Sequence, residues 1–203
     1  MKEIAAEIIT EIGKLKTKKD HLLIAIDGRC GSGKSTLGAY LQQKMYGNLL
    51  HMDDFYLRPE QRTPMRREEP GGNVDRERFL EEVLLSLHKG TKFTYRPFNC
   101  RKWELDLPVE VEVREINIVE GSYSCHPELC DYYDLHVFLT VDPEEQMYRI
   151  QNRLGKMTCA ETFRTKWIPM EEKYFSKMQV RERCELCFDT THAERVDGQQ
   201  EER

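Results

Sequence analysis

The chain has 203 residues, 39% hydrophobic and 33% charged, with a formal net charge of −5. That length fits one compact domain with a real core rather than two. A net negative chain with no Lys/Arg stripe interleaved with aromatics lacks the electrostatic footprint of a nucleic-acid binder. No run approaches the roughly 18 apolar residues of a membrane span, and the amino-terminal stretch alternates charged with apolar positions, unlike a signal peptide. A cytoplasmic protein that acts on a small molecule, without nucleic-acid or membrane partners, is the expectation; a homo-oligomer is compatible with it.

Apolar residues at Ile4, Ala5, Ile8, Ile9, Ile12 and Leu15 recur with helical period and predict a packing helix over 2–18. His21 to Asp27 is a short continuous apolar run, the pattern of a strand covered on both faces of a parallel sheet. A glycine-rich turn follows, and Leu37, Tyr40, Leu41 and Met45 then have helical spacing. Two more apolar runs, Asn48 to Asp54 and Glu115 to Glu120, end in carboxylates. A fourth, Leu135 to Val141, leads through Asp142-Pro143 into a helix, and Leu186 to Phe188 is a fifth. With helices at about 76–88, 143–153 and 160–178 between them, the alternation predicts an α/β fold, a mainly parallel sheet in a three-layer sandwich. Two stretches break the rhythm as substrate-side insertions: the Pro/Gly/Arg-rich 57–74, and 92–113, whose alternation at Phe93/Tyr95 and Val109/Val111/Val113 predicts an antiparallel ribbon. Residues 154–166, opening with Leu154-Gly155-Lys156 as a hinge, read as a lid. Residues 1–191 then form a single domain and 192–203 a polar tail.

Gly28-Arg29-Cys30-Gly31-Ser32-Gly33-Lys34-Ser35, followed by Thr36, satisfies the Walker A pattern and sits between a strand and a helix as that pattern requires. Its glycines let backbone N–H groups turn inward around phosphates, Lys34 neutralises β/γ charge, and the Ser35 hydroxyl can ligand Mg²⁺. ATP and Mg²⁺ are the expected cofactors. Because side chains alternate along a strand, Asp53 and Asp54 should point to opposite faces, so one alone serves the site. Asp53 is the candidate, as general base for a substrate hydroxyl, as Mg²⁺ partner, or both, with a turn or capping aspartate as the bland alternative. Glu120, before Gly121, closes an apolar strand, where a carboxylate is costly to bury unless a cation such as Mg²⁺ meets it. Arg149 and Arg153 stand four apart on one helix; Glu145 at i−4 offsets part of their repulsion and an anion between them would relieve the rest, and with Arg164 and Lys166 they could steady a transferring phosphoryl group or form a solvated face. The seven cysteines form an odd set that suits reduced thiols. Cys184-x-x-Cys187 has zinc or redox spacing, but Cys187 reads more simply as a small buried hydrophobe.

Ile26-Asp27-Gly28 with the rest of the loop, Met52-Asp-Asp-Phe-Tyr56, Asn73-Val-Asp75, Val119-Glu-Gly121 and Val141-Asp-Pro143 resemble, in the same order over residues 20–190, the uridine kinase-like branch of P-loop kinases, which includes uridine/cytidine kinases and phosphoribulokinases. The resemblance implies a five-stranded parallel sheet in the order 2-3-1-4-5, a β-ribbon over the acceptor, and transfer of the ATP γ-phosphoryl group to a hydroxyl of a nucleoside, sugar or similar small molecule. It implies Asp53 as proton acceptor, Tyr56 as its support, Asp75 as a ligand for ribose-like hydroxyls, Tyr95 as acceptor wall, Glu120 as a magnesium-shell acid and Arg153 as a lid arginine. After Tyr95, uridine kinases carry an aspartate and a base-reading histidine. This chain has Arg96-Pro97-Phe98-Asn99-Cys100-Arg101 instead, so phosphoryl transfer carries over and uracil does not. Phe98, Asn99 and Arg101 would define another acceptor, and Arg96 with Arg101 would suit an anionic one. The competing reading is a P-loop module that holds nucleotide without phosphotransfer, indifferent to Asp53 and Asp75.

Overall fold

The run after His21 folds as β1 (Leu22–Gly28), buried along its whole length, in a computed structural model that describes residues 1–154 and 157–194. Around it lie β2 (Asn48–His51), β3 (Ile116–Glu120), β4 (Leu135–Thr140) and β5 (Leu186–Asp189), all parallel, in the spatial order β2-β3-β1-β4-β5. Burial on both faces explains why β1 reads as an unbroken apolar run. Leu22, Ile24 and Ile26 enter a core with α1 (Lys2–Leu15) and α2 (Lys34–Met45), whereas Leu23 and Ala25 enter the opposite core with Phe55, Phe79, Tyr174 and Phe175. α1 buries Ala5, Ile8 and Ile12 and stops at Leu15 rather than 18, residues 16–18 forming a turn. Among the described residues, no helix is long and apolar enough to cross a membrane.

The registers bring Gly28, His51, Glu120 and Thr140 to one edge of the sheet, the carboxyl ends of the strands. Here the structure corrects the expected strand through Asp54. β2 has only β3 as a neighbour, and the pairing ends at His51↔Glu120, so beyond it no ladder holds the chain extended. Residues Met52–Phe55 coil instead into a 3₁₀ turn. Met52 and Phe55, three apart and both buried, share its inner side, which leaves Asp53 and Asp54 about 120° apart rather than on opposite faces of a strand. Gly121, at φ 136°, permits this turn: a Cβ there would stand 2.9 Å from the Cβ of Met52.

The 92–113 stretch pairs Phe93–Tyr95 with Val109–Val111 antiparallel and then Phe98–Asn99 with Glu104–Leu105, so its tip is formed by Cys100 to Trp103. The 57–74 stretch is closed at its base by the Tyr56↔Val74 bridge. The helix expected over 160–178 begins earlier, at Met157, and carries a π turn at Phe163–Trp167 before continuing as Ile168–Met178. Pro169 lacks an N–H, which removes an α-type bond where the turn widens. Of the expected hinge, Gly155 and Lys156 lie outside the described residues. β5 is an edge strand with Cys187 exposed rather than buried, and among the described residues no three His, Cys, Asp or Glu side chains group as a metal site.

His126 illustrates the tightness of the core behind the site. Its Nδ1 accepts from the Glu128 N–H at 3.3 Å, its ring stacks on Tyr174 at 6.1 Å, and its Nε2 is buried without a partner. Burial, with Arg76 nearby, pushes its pKa down to about 4, against the opposing pull of Glu128 and Glu69. A histidine that binds its proton less readily folded than unfolded costs stability as pH falls below the unfolded value of about 6.5. Between pH 7 and 4.5 the wild type should therefore lose about 2 to 3 kcal/mol more than His126→Asn, which keeps a capping acceptor, as read by denaturant melts at both pH values.

Candidate active site

The glycine-rich loop leaves the end of β1, where Gly28 has φ 135° and a Cβ would lie 2.0 Å from the backbone oxygen of Leu139; only glycine lets β1 and β4 stay paired there. The loop opens into a cleft of about 1050 Å³, lined on this side by Cys30 through Thr36. Lys34 Nζ donates to the carbonyls of Gly28 at 2.8 Å and Arg29 at 3.0 Å, so the cation stands within the loop's curve. Arg29 does not join it. Its guanidinium turns to the outer surface and binds Glu172 at 2.6 and 3.1 Å, Thr140 Oγ1 and the Val141 carbonyl.

Opposite the loop stand carboxylates delivered by the strand ends. Glu120, 5% exposed, accepts from the Ser35 hydroxyl at 3.2 Å and contacts His51 Nδ1 at 2.6 Å, its register neighbour across β2 and β3. Asp53 faces the same cleft and accepts from the Tyr56 hydroxyl at 3.0 Å. The cleft wets its carboxylate on one side, yet the surrounding protein and then the Glu120 charge hold its pKa above the ordinary carboxylate value, against Lys34, Tyr56 and His51. Asp54, one residue on, accepts from the Tyr95 hydroxyl at 3.0 Å and does not line the cleft.

Two acidic residues with no assignment in the sequence reading hold the loop in shape. Glu171, 6% exposed and on the Ile168–Met178 helix, accepts from the Cys30 N–H at 3.0 Å and from the Ser122 hydroxyl at 2.6 Å. Asp27, fully buried, accepts from the N–H groups of Gly28, Tyr123 and Cys125 and from the Tyr174 hydroxyl, at 2.6 to 3.1 Å. Burial pushes its pKa up to about 6, while these donors and Lys34 pull it back. Glu171 lies 141 residues from Cys30 and 49 from Ser122, and no local pattern marks it.

Several sequence expectations are corrected by position. Asp75 is 2% exposed, caps the helix that starts at Arg76 by accepting from Arg78 N–H at 3.2 Å, and sits between Arg58 at 3.7 Å and Arg78 at 3.5 Å; it does not line the cleft. Tyr95 and Phe98 are core residues, 7% and 5% exposed, behind the wall rather than on it. Arg101 also stays off the cleft, and Arg96 spends its guanidinium on the Leu105 and Asp106 carbonyls. Arg149 borders the cleft, but Glu145 at 2.7 Å cancels the repulsion expected with Arg153. Its remaining N–H groups tie the Gly31 carbonyl to Thr190 and Thr191, a bracing job rather than a grip on an anion. Arg153 lines the cleft beside the Phe163 ring at 5.9 Å, near Lys166 and Trp167. Arg62, Asn73, Cys100 and Trp103, given no role in the site by the sequence, line the same cleft as Asp53. Their run of arginine, cysteine and tryptophan within the two insertions was the available signal.

The residues present fit a nucleotide with Mg²⁺. The donor set of Ser35, Asp53 and Glu120 is all hard oxygen, two of its members are carboxylates close enough to raise the pKa of Asp53, and a magnesium ion completes its shell with phosphate oxygens and water. Comparisons agree with the fold. A solved structure described as a possible uridine kinase from Bacillus stearothermophilus superposes with a TM-score of 0.64 at 20% identity, over 90% of this chain and 100% of that one. D-glycerate 3-kinase from Cryptococcus neoformans gives 0.62 at 15%, over 84% and 87%, and phosphoribulokinase from Rhodobacter spheroides gives 0.56 at 14%, over 84% and 70%. At such identities the likeness is one of fold. No curated protein matches the sequence significantly. The model of the AAA domain family matches residues 24–164, from β1 through the loop and past Arg153. By that match over most of its length the chain belongs to the AAA domain family, and it carries the fold of the P-loop kinases.

Proposed function

We propose that the protein transfers the γ-phosphoryl group of ATP to a hydroxyl of a small molecule. The observation that carries this reading is Asp53: a carboxylate with a raised pKa, steadied by Tyr56, across one cleft from a phosphate-binding loop. A loop that only stored nucleotide would have no use for a base there. In this reading the loop N–H groups and Lys34 hold the β- and γ-phosphates. Asp53 orients the acceptor hydroxyl and takes its proton as the new O–P bond forms and the bond to ADP breaks. Mg²⁺ held by Ser35, with Glu120 and Asp53 in its shell, would supply neutralisation of the phosphate charge. Arg153 and Lys166, which line the cleft and have no carboxylate within ion-pair distance among the described residues, suit the charge on the transferring group.

The test is ADP formation over a library of sugars, nucleosides, polyols and their acids and phosphates. At least one acceptor should raise the rate well above water hydrolysis. Tight ATP binding with no acceptor-dependent turnover across the library would favour a nucleotide-binding module instead.

A further inference from the structure

Among the described residues, Arg29, Arg58, Arg66, Arg76, Arg78 and Arg149 each have a carboxylate within ion-pair distance, and Arg62 has none. Yet Arg62 is not loose. Its Nε donates to the Leu57 carbonyl at 2.8 Å, and its guanidinium lies over the Trp103 ring at 4.4 Å with Phe98 at 5.8 Å. Stacking occupies the flat face of a guanidinium and leaves its edge free. With Nε committed, that edge is the Nη pair, the fork that matches the two oxygens of a carboxylate or phosphate; the side-chain partner it has, the Cys100 thiol, is a weak acceptor that an oxyanion would displace.

Trp103 is itself held at some cost. Its φ is 61°, a left-handed value rare for a bulky side chain, and the residue is 53% exposed. The tip around it is built to keep it there: Trp103 N–H donates to the Asn99 carbonyl at 2.7 Å, and the Asn99 side chain accepts from the N–H groups of Arg101 and Lys102. Arg62 and Trp103 share the cleft with Asp53 and Tyr56. Burial raises the pKa of the Cys100 thiol, Arg62 lowers it by its charge and as a hydrogen-bond partner, and the Asp53 charge raises it again, so cation and base both reach the thiol that lines this cleft.

We propose that this end of the cleft takes a hydroxyl compound that also bears an oxyanion, a carboxylate or a phosphate, gripped by the Arg62 fork so that its hydroxyl meets Asp53. The proposal rests on the phosphotransfer reading for the hydroxyl's fate, but the oxyanion subsite can be tested without turnover. The chain has two tryptophans, so Trp167→Phe leaves Trp103 as the only indole. With a non-hydrolysable ATP analogue and Mg²⁺ filling the loop, Trp103 emission is followed on titration with glycerate, ribose 5-phosphate, glycerol and ribose. At least one anion should saturate, its neutral counterpart should not, and Arg62→Gln should weaken the anion by about 10- to 100-fold. Arg62→Lys, which keeps the charge without fork or stack, should fall between, and carries the comparison if the glutamine variant melts early. Tighter binding of glycerate than of ribose 5-phosphate assigns a carboxylate, and the reverse a phosphate. Anions that bind no better than their neutral counterparts, or binding indifferent to Arg62, overturn the subsite. A neutral acceptor phosphorylated equally by Arg62→Gln sinks the anion assignment while sparing phosphotransfer. Arg62-dependent anion binding with no turnover spares the subsite and sinks phosphotransfer.

Discussion

Asp53→Asn should lower kcat by about 10²- to 10⁴-fold, the usual contribution of a positioned general base, with ATP affinity nearly unchanged. The amide is isosteric and can still accept from the Tyr56 hydroxyl, so the turn that carries it should survive. What it cannot do is take a proton. Removing a negative charge beside Glu120 does not by itself weaken a polyanionic nucleotide, and the amide oxygen can still reach the magnesium shell beside Ser35 and Glu120, so a loss confined to turnover separates a base from a phosphate-binding group. The pH dependence follows in sign. Asp53 acts deprotonated, and the protein around its one dry side with the Glu120 charge holds its pKa above the ordinary value of about 3.9, so kcat/KM of the wild type should rise with pH through a limb displaced upward from that value. The variant should lack that limb. Turnover within about tenfold of wild type would remove Asp53 from the base role.

Asp27→Ala should be the most destabilising single change near the site, about 3 to 5 kcal/mol, or roughly 10 to 15 °C in the thermal midpoint of a domain of this size. The substitution leaves the N–H groups of Gly28, Tyr123 and Cys125 and the Tyr174 hydroxyl without their acceptor in a place water does not reach. Each orphaned buried donor costs about 1 to 3 kcal/mol, and the sum is less than additive because the residues can shift together. Asp27→Asn should fall between, since one amide oxygen remains while the NH₂ meets donors. The same bonds join β1 to the segment after β3 and to the Ile168–Met178 helix, so ATP affinity should fall with stability. A midpoint shift below about 3 °C would mean that water or rearranged groups replace the carboxylate.

The phosphate loop was legible because it is local. Glycine spacing, a lysine and a hydroxyl within eight residues carry their meaning wherever the chain goes. Burial of β1 on both faces was equally legible from its unbroken apolar run. The pairing of Glu120 with Ser35, and the approach of Asp53 to Glu120, was foreseeable from one general rule, that strand ends of an open parallel sheet gather at the ligand. What separates Asp53 from Asp54 is nonetheless not the alternation expected of a strand. Strand alternation does not operate there; a 3₁₀ turn pinned by Met52 and Phe55 does.

Residue types that suit chemistry were misjudged where structure had a prior use for them. Asp75 caps a helix between two arginines, Tyr95 and Phe98 fill a core, and Arg149 braces the loop against residues 190–191. In each case a charged or aromatic side chain was satisfied by neighbours that only the folded chain supplies. The reverse holds for Arg62, unremarkable in a Pro/Arg-rich insertion and left by folding as a cation facing the cleft.

The sequence by itself therefore determined the phosphate grip, the alternation of strand and helix, and the edge of the sheet where chemistry would collect, because these follow from backbone periodicity and contacts a few residues apart. Only the tertiary structure decided which carboxylate faces the cleft, which arginines are already paired, and that Glu171 and Asp27 hold the loop from behind. Those outcomes depend on where a ladder runs out of partners and on bonds between residues far apart in the chain. A side chain's chemistry becomes available only after folding has used what it needs.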